Sequence, residues 1–165
     1  MLKKLFAKRK KAITEKITAP VNGELIRISE VPDPVFAQKM MGDGVAIIPE
    51  DGNFVSPAKG EIIQVFPTKH AVGLRTVNGL ELLIHIGLET VELNGKGFQT
   101  FVVPGQKVEP GELLVKADLQ YLEEKNKEIV TPVIITNMEE KVASLETVEC
   151  GEIKSGDTII NCSIR

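Results

Sequence analysis

His70 and His85 are the only two histidines among 165 residues, and their surroundings decide what chemistry is open to them. His70 closes the segment Phe66-Pro67-Thr68-Lys69-His70, and His85 lies in Leu80-Glu81-Leu82-Leu83-Ile84-His85-Ile86-Gly87. Asn78-Gly79 between them is a strong hairpin signal, since both residues tolerate the left-handed backbone of a tight turn. A two-residue turn pairs Val77 with Leu80 and Val72 with His85, leaving His70 as the diagonal neighbour. A four-residue loop from Thr76 to Gly79 sets His70 opposite His85. Side chains alternate faces along a strand, so either even-length loop puts both imidazoles on one surface, roughly 5–8 Å apart. A three-residue loop or a bulge separates them. His85 is also out of phase with its apolar neighbours: Leu80, Leu82, Ile84 and Ile86 form one face, and His85 shares the other with Glu81 and Leu83.

Four uses of such a pair stay open on these residues alone. The two can be plain structural or surface residues. They can ligate a metal, which needs a third ligand, and no His-x-His or His-Glu-x-x-His is present. They can activate a cysteine, although Cys150 and Cys162 are both distant in sequence. They can transfer a phosphoryl group, one neutral imidazole attacking phosphorus while the second donates hydrogen bonds to its oxygens. No P-loop or glycine-rich nucleotide motif accompanies them, so the expected donor is another phosphoprotein and not ATP.

The elements that must position the pair read as strands and turns. Hydrophobic residues make up 42% of the chain with 4% aromatics and no Trp, so the core must be built mainly from Val, Ile, Leu and Ala. Fourteen Gly and nine Pro punctuate the length, which predicts many turns and few long helices. Short β-branched runs at Gly23–Ile28, Gly60–Val65 and Leu80–Ile86 are bounded by turn residues. Two helices are expected, one over Pro34–Met40 capped by Asp33 and one near Leu119–Lys127 capped by Asp118. Pro20-x-x-Gly23-Glu24-Leu25-Ile26-x-Ile28 recurs as Pro57-x-x-Gly60-Glu61-Ile62-Ile63-x-Val65, and Lys107-Val108-x-x-Gly111-Glu112-x-Leu114 resembles Glu152-Ile153-x-x-Gly156-Asp157-x-Ile159. Such repeated strand–turn units build compact β barrels or sandwiches.

Net charge is −3, yet the first 11 residues hold Lys3, Lys4, Lys8, Arg9, Lys10 and Lys11 without an acid. Setting those six aside leaves residues 12–165 at −9, a poor nucleic-acid binder and a fit for a basic protein partner. Leu2, Leu5 and Phe6 fall at helical spacing in the basic segment, the pattern of a weak membrane-surface helix. Three apolar side chains bury little area, so residues 1–16 are read as a basic flexible tail and residues 17–165 as a single domain. The two cysteines show no Cys-x-x-Cys pattern and are expected to be reduced. No run approaches the ~18 apolar residues of a membrane span, and the basic start lacks an apolar signal region, which points to the cytoplasm.

His85-Ile86-Gly87-Leu88-Glu89-Thr90-Val91-Glu92-Leu93-Asn94-Gly95-Lys96-Gly97-Phe98 resembles the signature of the glucose-type IIA component of the bacterial phosphoenolpyruvate-dependent sugar phosphotransferase system. Val31–Ala37, Gly42–Ile47, Thr68–Ala71 and Thr131–Met138 agree with the same family, so the likeness runs from about Ile17 to the C-terminus. It implies an all-β fold, an antiparallel β barrel-sandwich hybrid with few short helices. It implies phosphorylation of His85 on Nε2, a supporting role for His70, and a hydroxyl in the same network from Thr68. The implied docking face is apolar with an acidic rim, matched here by Val35, Phe36, Ile47 and Phe66, with Asp33 and Glu89 on the rim. Glu89 departs from the Asp expected there, adding a methylene to the rim. The implied donor is the small histidine-containing phosphocarrier protein, and the implied acceptor is a cysteine on the IIB domain of a membrane sugar permease. No cofactor or metal is called for.

A free Nε2 on His85 requires the proton on Nδ1, and Gly87 allows the backbone to turn so that its carbonyl reaches back to the ring. The two rings are then expected in one pocket between Phe36 and Phe66. Competing functions are a zinc hydrolase using Asp33 or Asp43 as third ligand, a purely regulatory docking protein, and a biotin or lipoyl carrier, for which no Met-Lys-Met or Asp-Lys-Ala turn exists.

Overall fold

Alternation of apolar residues with period two decides the architecture. The computed structural model describes residues 12–165. Within them the chain forms β1 (Thr14–Thr18), β2 (Gly23–Arg27), a 3-10 turn (Ile28–Glu30), α1 (Pro34–Ala37), β3 (Asp43–Pro49), β4 (Asn53–Val55), β5 (Gly60–Val65), β6 (Ala71–Thr76) and β7 (Glu81–His85). A second 3-10 turn (Thr90–Leu93), β8 (Phe98–Thr100), β9 (Lys107–Val108), β10 (Leu113–Ala117), α2 (Leu119–Glu124), β11 (Thr131–Ile135), α3 (Met138–Lys141), β12 (Val142–Thr147), β13 (Gly151–Ile153) and β14 (Thr158–Ile164) complete it.

An eight-stranded sheet runs β13-β2-β3-β11-β7-β6-β5-β9, and two three-stranded sheets run β1-β14-β12 and β4-β10-β8. Every ladder is antiparallel. One face of the large sheet sends Leu25, Val45, Ile47, Val72, Leu74, Leu82, Ile84, Val133 and Ile135 into the main core, where they meet Ile17 and Ile160 of one small sheet and Phe54 and Leu114 of the other. The intervening residues Ala46, Ala71, Leu83 and Ile134 face the other way and form a second apolar cluster with Ile28, Val31 and Phe36. His85, in phase with Leu83, belongs to that second face.

The two sequence repeats are halves of one structural repeat. Gly23 of β2 stands opposite Ile153 of β13, and Gly60 of β5 stands opposite Val108 of β9. Leu25 and Ile62, equivalent in the repeat, are both buried in the main core. A Cβ on Gly23 would lie 2.2 Å from the Ile48 carbonyl oxygen, and one on Gly60 would lie 2.1 Å from that of Arg75, which is why both positions carry glycine. Between the halves the backbone is exchanged: Val55 N–H donates to the Pro20 carbonyl at 2.8 Å and Thr18 N–H to the Pro57 carbonyl at 2.9 Å. The large sheet is thus an approximate two-fold object, with β11 and β7 meeting at its centre.

Several expectations are corrected. Thr14, Glu15 and Lys16 are not tail but strand: they pair with Ser163, Cys162 and Asn161 of β14, and Glu15 is buried against the Thr76 hydroxyl at 2.7 Å. The Leu2, Leu5, Phe6 stripe lies outside the described residues. Both expected helix caps form, Asp33 accepting from Val35 N–H at 2.9 Å and Asp118 from Tyr121 N–H at 3.1 Å. Both helices stop early, because Lys39 at φ 58° and Asn126 at φ 59° turn the chain left-handed.

The hairpin loop has three residues, Val77 to Gly79, since Thr76 and Leu80 close the ladder through a 2.8 Å bond. That register sets Ala71 opposite His85 and Val72 opposite Ile84. Strict alternation would then send His70 to the far face, yet the rings meet. The reason is that His70 precedes β6, in a turn where Lys69 adopts φ 62° and donates its N–H to the Phe66 carbonyl at 2.7 Å. Alternation does not extend into such a turn.

Candidate active site

His85 is the last residue of β7, and the backbone beyond it is tightly held. Ile86 returns to the main core, and its N–H donates to the His70 carbonyl at 2.7 Å. Gly87 then turns at φ 74°, where a Cβ would meet Thr90 Cγ2 at 2.7 Å and the Glu128 carbonyl oxygen at 2.8 Å. Thr90, fully buried, donates its hydroxyl to the Ile86 carbonyl at 2.6 Å, and Leu88 N–H donates to the Glu128 carbonyl at 3.0 Å. These bonds fix the Gly87 carbonyl, which accepts from Nδ1 of His85 at 2.7 Å. A carbonyl cannot donate, so the ring's proton is assigned to Nδ1 and Nε2 keeps its lone pair.

His70 is 2% exposed, and its Nδ1 lies 2.8 Å from the Thr68 hydroxyl. The two imidazole centroids are 4.8 Å apart with planes at 79°. Phe36 flanks His85 at 5.0 Å and Phe66 flanks His70 at 5.4 Å, giving a row of four rings in the order Phe36, His85, His70, Phe66. Two of these contacts are edge-on and the Phe36–His85 contact is tilted at 56°, and such packing holds ring orientation as well as position. Both Nδ1 atoms are engaged, so both Nε2 atoms are the ones left for a third party.

The environment keeps both rings neutral. Burial, reinforced by the neighbouring His85 and opposed by a Thr68 backbone hydrogen bond, pushes His70 down to about 4. Burial also lowers His85, opposed by the Gly87 carbonyl and by the negative charge of Asp33. A neutral imidazole with an unshared pair is a nucleophile at neutral pH.

The other expected face residues separate. Val35 is 38% exposed, Phe66 is half-buried, and Phe36 is buried beneath His85. Asp33 and Glu89 line one small hollow beside the pair, Glu89 in the left-handed region at φ 56°. Ile47 does not belong: it is fully buried in the main core, and its neighbour Ile48 lies on the histidine side. The expectation was one residue out of phase, which in a strand means the wrong face. Thr90 is a further residue of the site, and its only signal in the sequence is a threonine five residues after His85, beyond Gly87.

Among the described residues no three His, Cys, Asp or Glu side chains gather as a metal site. Asp33 caps α1, and Asp43 bonds Gly44 N–H at 2.7 Å and pairs with Lys39 at 3.4 Å, so neither reaches the histidines as a third ligand. Cys150 and Cys162 are free thiols. A hollow of about 660 Å³ lies at the β5–β9 edge, and neither histidine lines it. Among the described residues no helix is long and apolar enough to cross a membrane.

An antiparallel β sandwich that holds two imidazoles edge to face, each with its Nδ1 engaged, is a scaffold for histidine chemistry at Nε2. Residues 15–141 match the family described as phosphoenolpyruvate-dependent sugar phosphotransferase system, EIIA 1, and the chain belongs to that family. A Halalkalibacterium halodurans protein named PTS system glucose-specific EIIA component is 53% identical, covering 96% of this chain and 95% of its own. A Bacillus cereus protein of the same name is 46% identical over the whole of both chains. The solved glucose permease IIA from Mycoplasma capricolum superposes with a TM-score of 0.85 at 43% identity, covering 90% of this chain and 96% of that one. The chain is therefore a phosphotransferase-system component that works in phosphoryl transfer linked to sugar transport.

Proposed function

We propose that His85 is the phosphoryl carrier, taking the group from the phosphohistidine of the small histidine-containing phosphocarrier protein and delivering it to a cysteine on the IIB domain of a membrane sugar permease. The names of the relatives make glucose the first sugar to test. The observation that carries the proposal is the 2.7 Å bond from Nδ1 of His85 to the Gly87 carbonyl, which leaves Nε2 as the nucleophile beside a second imidazole.

In the first step the Nε2 lone pair of His85 forms a bond to phosphorus as the donor's nitrogen–phosphorus bond breaks. The proton stays on Nδ1 of His85, which keeps donating to the Gly87 carbonyl, so no general base is needed. In the second step a cysteine thiolate forms the sulfur–phosphorus bond, and the His85 Nε2–phosphorus bond breaks. A hydroxyl of Thr68 donating to Nδ1 of His70 sets the tautomer with the proton on Nε2, aimed at the phosphoryl oxygens. Val35, Phe66 and the ring row form the apolar contact that excludes water from the labile phosphoimidazole, while Asp33 and Glu89 suit a basic rim on the partner. The carrier works in the cytoplasm, where both partners present these groups.

Incubation with phosphoenolpyruvate and the two general phosphotransferase proteins should give an acid-labile, base-stable adduct on wild type and none on His85→Ala. Uptake by His85→Ala at the wild-type rate would overturn the assignment. Adding permeases one sugar at a time then identifies the transported sugar.

A further inference from the structure

The three methionines among the described residues, Met40, Met41 and Met138, all line one groove of about 570 Å³ between the end of α1 and α3. Met40 is 69% exposed and Met41 41% exposed. Thioether side chains are flexible and polarisable, and an exposed cluster of them makes an adaptable apolar floor. Asp43, Glu139 and Glu140 rim the same groove. Asp43 pairs with Lys39, whereas Glu139 and Glu140 make no ion pair among the described residues.

The groove lies close to where the described chain begins. Ile164 N–H donates to the Ile13 carbonyl at 2.8 Å, and the next residue, Arg165, donates to the Lys141 carbonyl at 2.9 Å. Lys141 is the last residue of α3, directly after Glu139 and Glu140. The described chain therefore begins beside the helix that carries the acidic rim. The sequence of residues 1–11 is complementary to it: Leu2, Leu5 and Phe6 fall at the spacing that shares one side of a helix, and six Lys or Arg surround them. Eleven residues reach about 16 Å as a helix and more than 30 Å extended, enough for a groove that starts at α3.

We propose that residues 2–11 dock in cis in this groove, Leu2, Leu5 and Phe6 on the methionines and the basic residues against Glu139 and Glu140. The proposal does not rest on the phosphoryl chemistry, since neither His70 nor His85 lines the groove. Its consequence is competition: a segment held on its own domain is withheld from an anionic membrane surface, and one drawn to a membrane uncovers the methionines.

The test uses the full chain with isotope-labelled methionine methyl groups, assigned by single Met→Leu variants. The Met40, Met41 and Met138 methyl resonances should move when residues 2–11 are deleted. They should move the same way in about 0.5 M salt, where charge attraction is screened within a few Å. Glu139→Gln combined with Glu140→Gln should reproduce the shift in the full chain and do nothing in the truncated one. The His70 and His85 ring signals serve as the control for folding. Identical methyl resonances in full-length and truncated protein would overturn the proposal. So would unchanged groove signals together with tail-dependent binding to phosphatidylglycerol vesicles, which would assign the segment to the membrane surface alone.

Discussion

Ala71 stands directly opposite His85 across the β6–β7 ladder and is fully buried in the cluster that supports it. Its side chain is a single methyl on the face that carries His85, in a cluster where it is 0% exposed. Ala71→Leu should overpack the site, costing about 1–3 kcal/mol of stability. Phosphate acceptance should fall more than stability alone explains, because the displaced ring no longer aims Nε2 outward. Urea unfolding and single-turnover labelling of the same preparation check this. Labelling at the wild-type rate in a destabilised variant would show that ring placement does not limit the reaction.

Replacing Gly87 attacks the same geometry from the carbonyl side. Gly87→Ala must place a methyl where Thr90 and the Glu128 carbonyl already sit, on a backbone at φ 74°. A cost of about 1–3 kcal/mol is expected from the left-handed backbone and the clash together. The downfield Nδ1 proton signal of His85 should weaken or vanish. A Gly87→Ala protein with that proton signal intact would show that the bond survives without the glycine.

Thr68→Val keeps the shape of the side chain and removes its hydroxyl, freeing Nδ1 of His70 to carry a proton. Transfer onward to the IIB domain should slow by about tenfold, the effect of one lost hydrogen bond of ~1.4 kcal/mol. Acceptance by His85 should change less, since the nucleophile is untouched, and Thr68→Ser should restore the onward step. His70→Gln should likewise remain phosphorylatable while failing to drive sugar phosphorylation. A Thr68→Val protein that matches wild type in sugar turnover would remove the tautomer role.

His70 also makes stability depend on pH. Its folded value of about 4 lies below the ordinary 6.5, so between these values the unfolded chain binds a proton that the folded chain refuses. Stability from this group is complete above pH 6.5 and is lost as pH falls toward 4. The loss is at most about 3 kcal/mol. His85 is lowered as well and acts in the same direction. Urea midpoints across this range should fall less steeply in His70→Gln than in wild type. Parallel curves for the two proteins would place the titration elsewhere.

The repeats, the short strands and both helix caps are visible in the sequence because each rests on local residue types. The meeting of the imidazoles is visible only for a mistaken reason. The loop at Asn78-Gly79 has three residues, and pairing arithmetic then parts the rings; what joins them is the left-handed Lys69, a conformation that no lysine advertises. Ile47 shows the related limit. An apolar run such as Val45 to Ile48 is buried on both faces of a central strand, so composition alone cannot say which member looks outward. Glu15 shows a third: a buried carboxylate on a short edge strand reads as tail until its partner Thr76, far along the chain, is in place.

β1 closes on β14, pairing Thr14 with Ser163, so the first and last strands of the described chain are neighbours. Contacts between opposite ends of a chain form late, after loop closure over nearly its whole length, so this sheet should be the last to consolidate during folding. The same adjacency makes chain order dispensable. A short linker joining residue 165 to residue 12, with new ends opened in an exposed turn away from the histidines, should leave every ladder in place. Such a circular permutant should fold, and should carry the four-ring row on a polypeptide that starts and stops somewhere else.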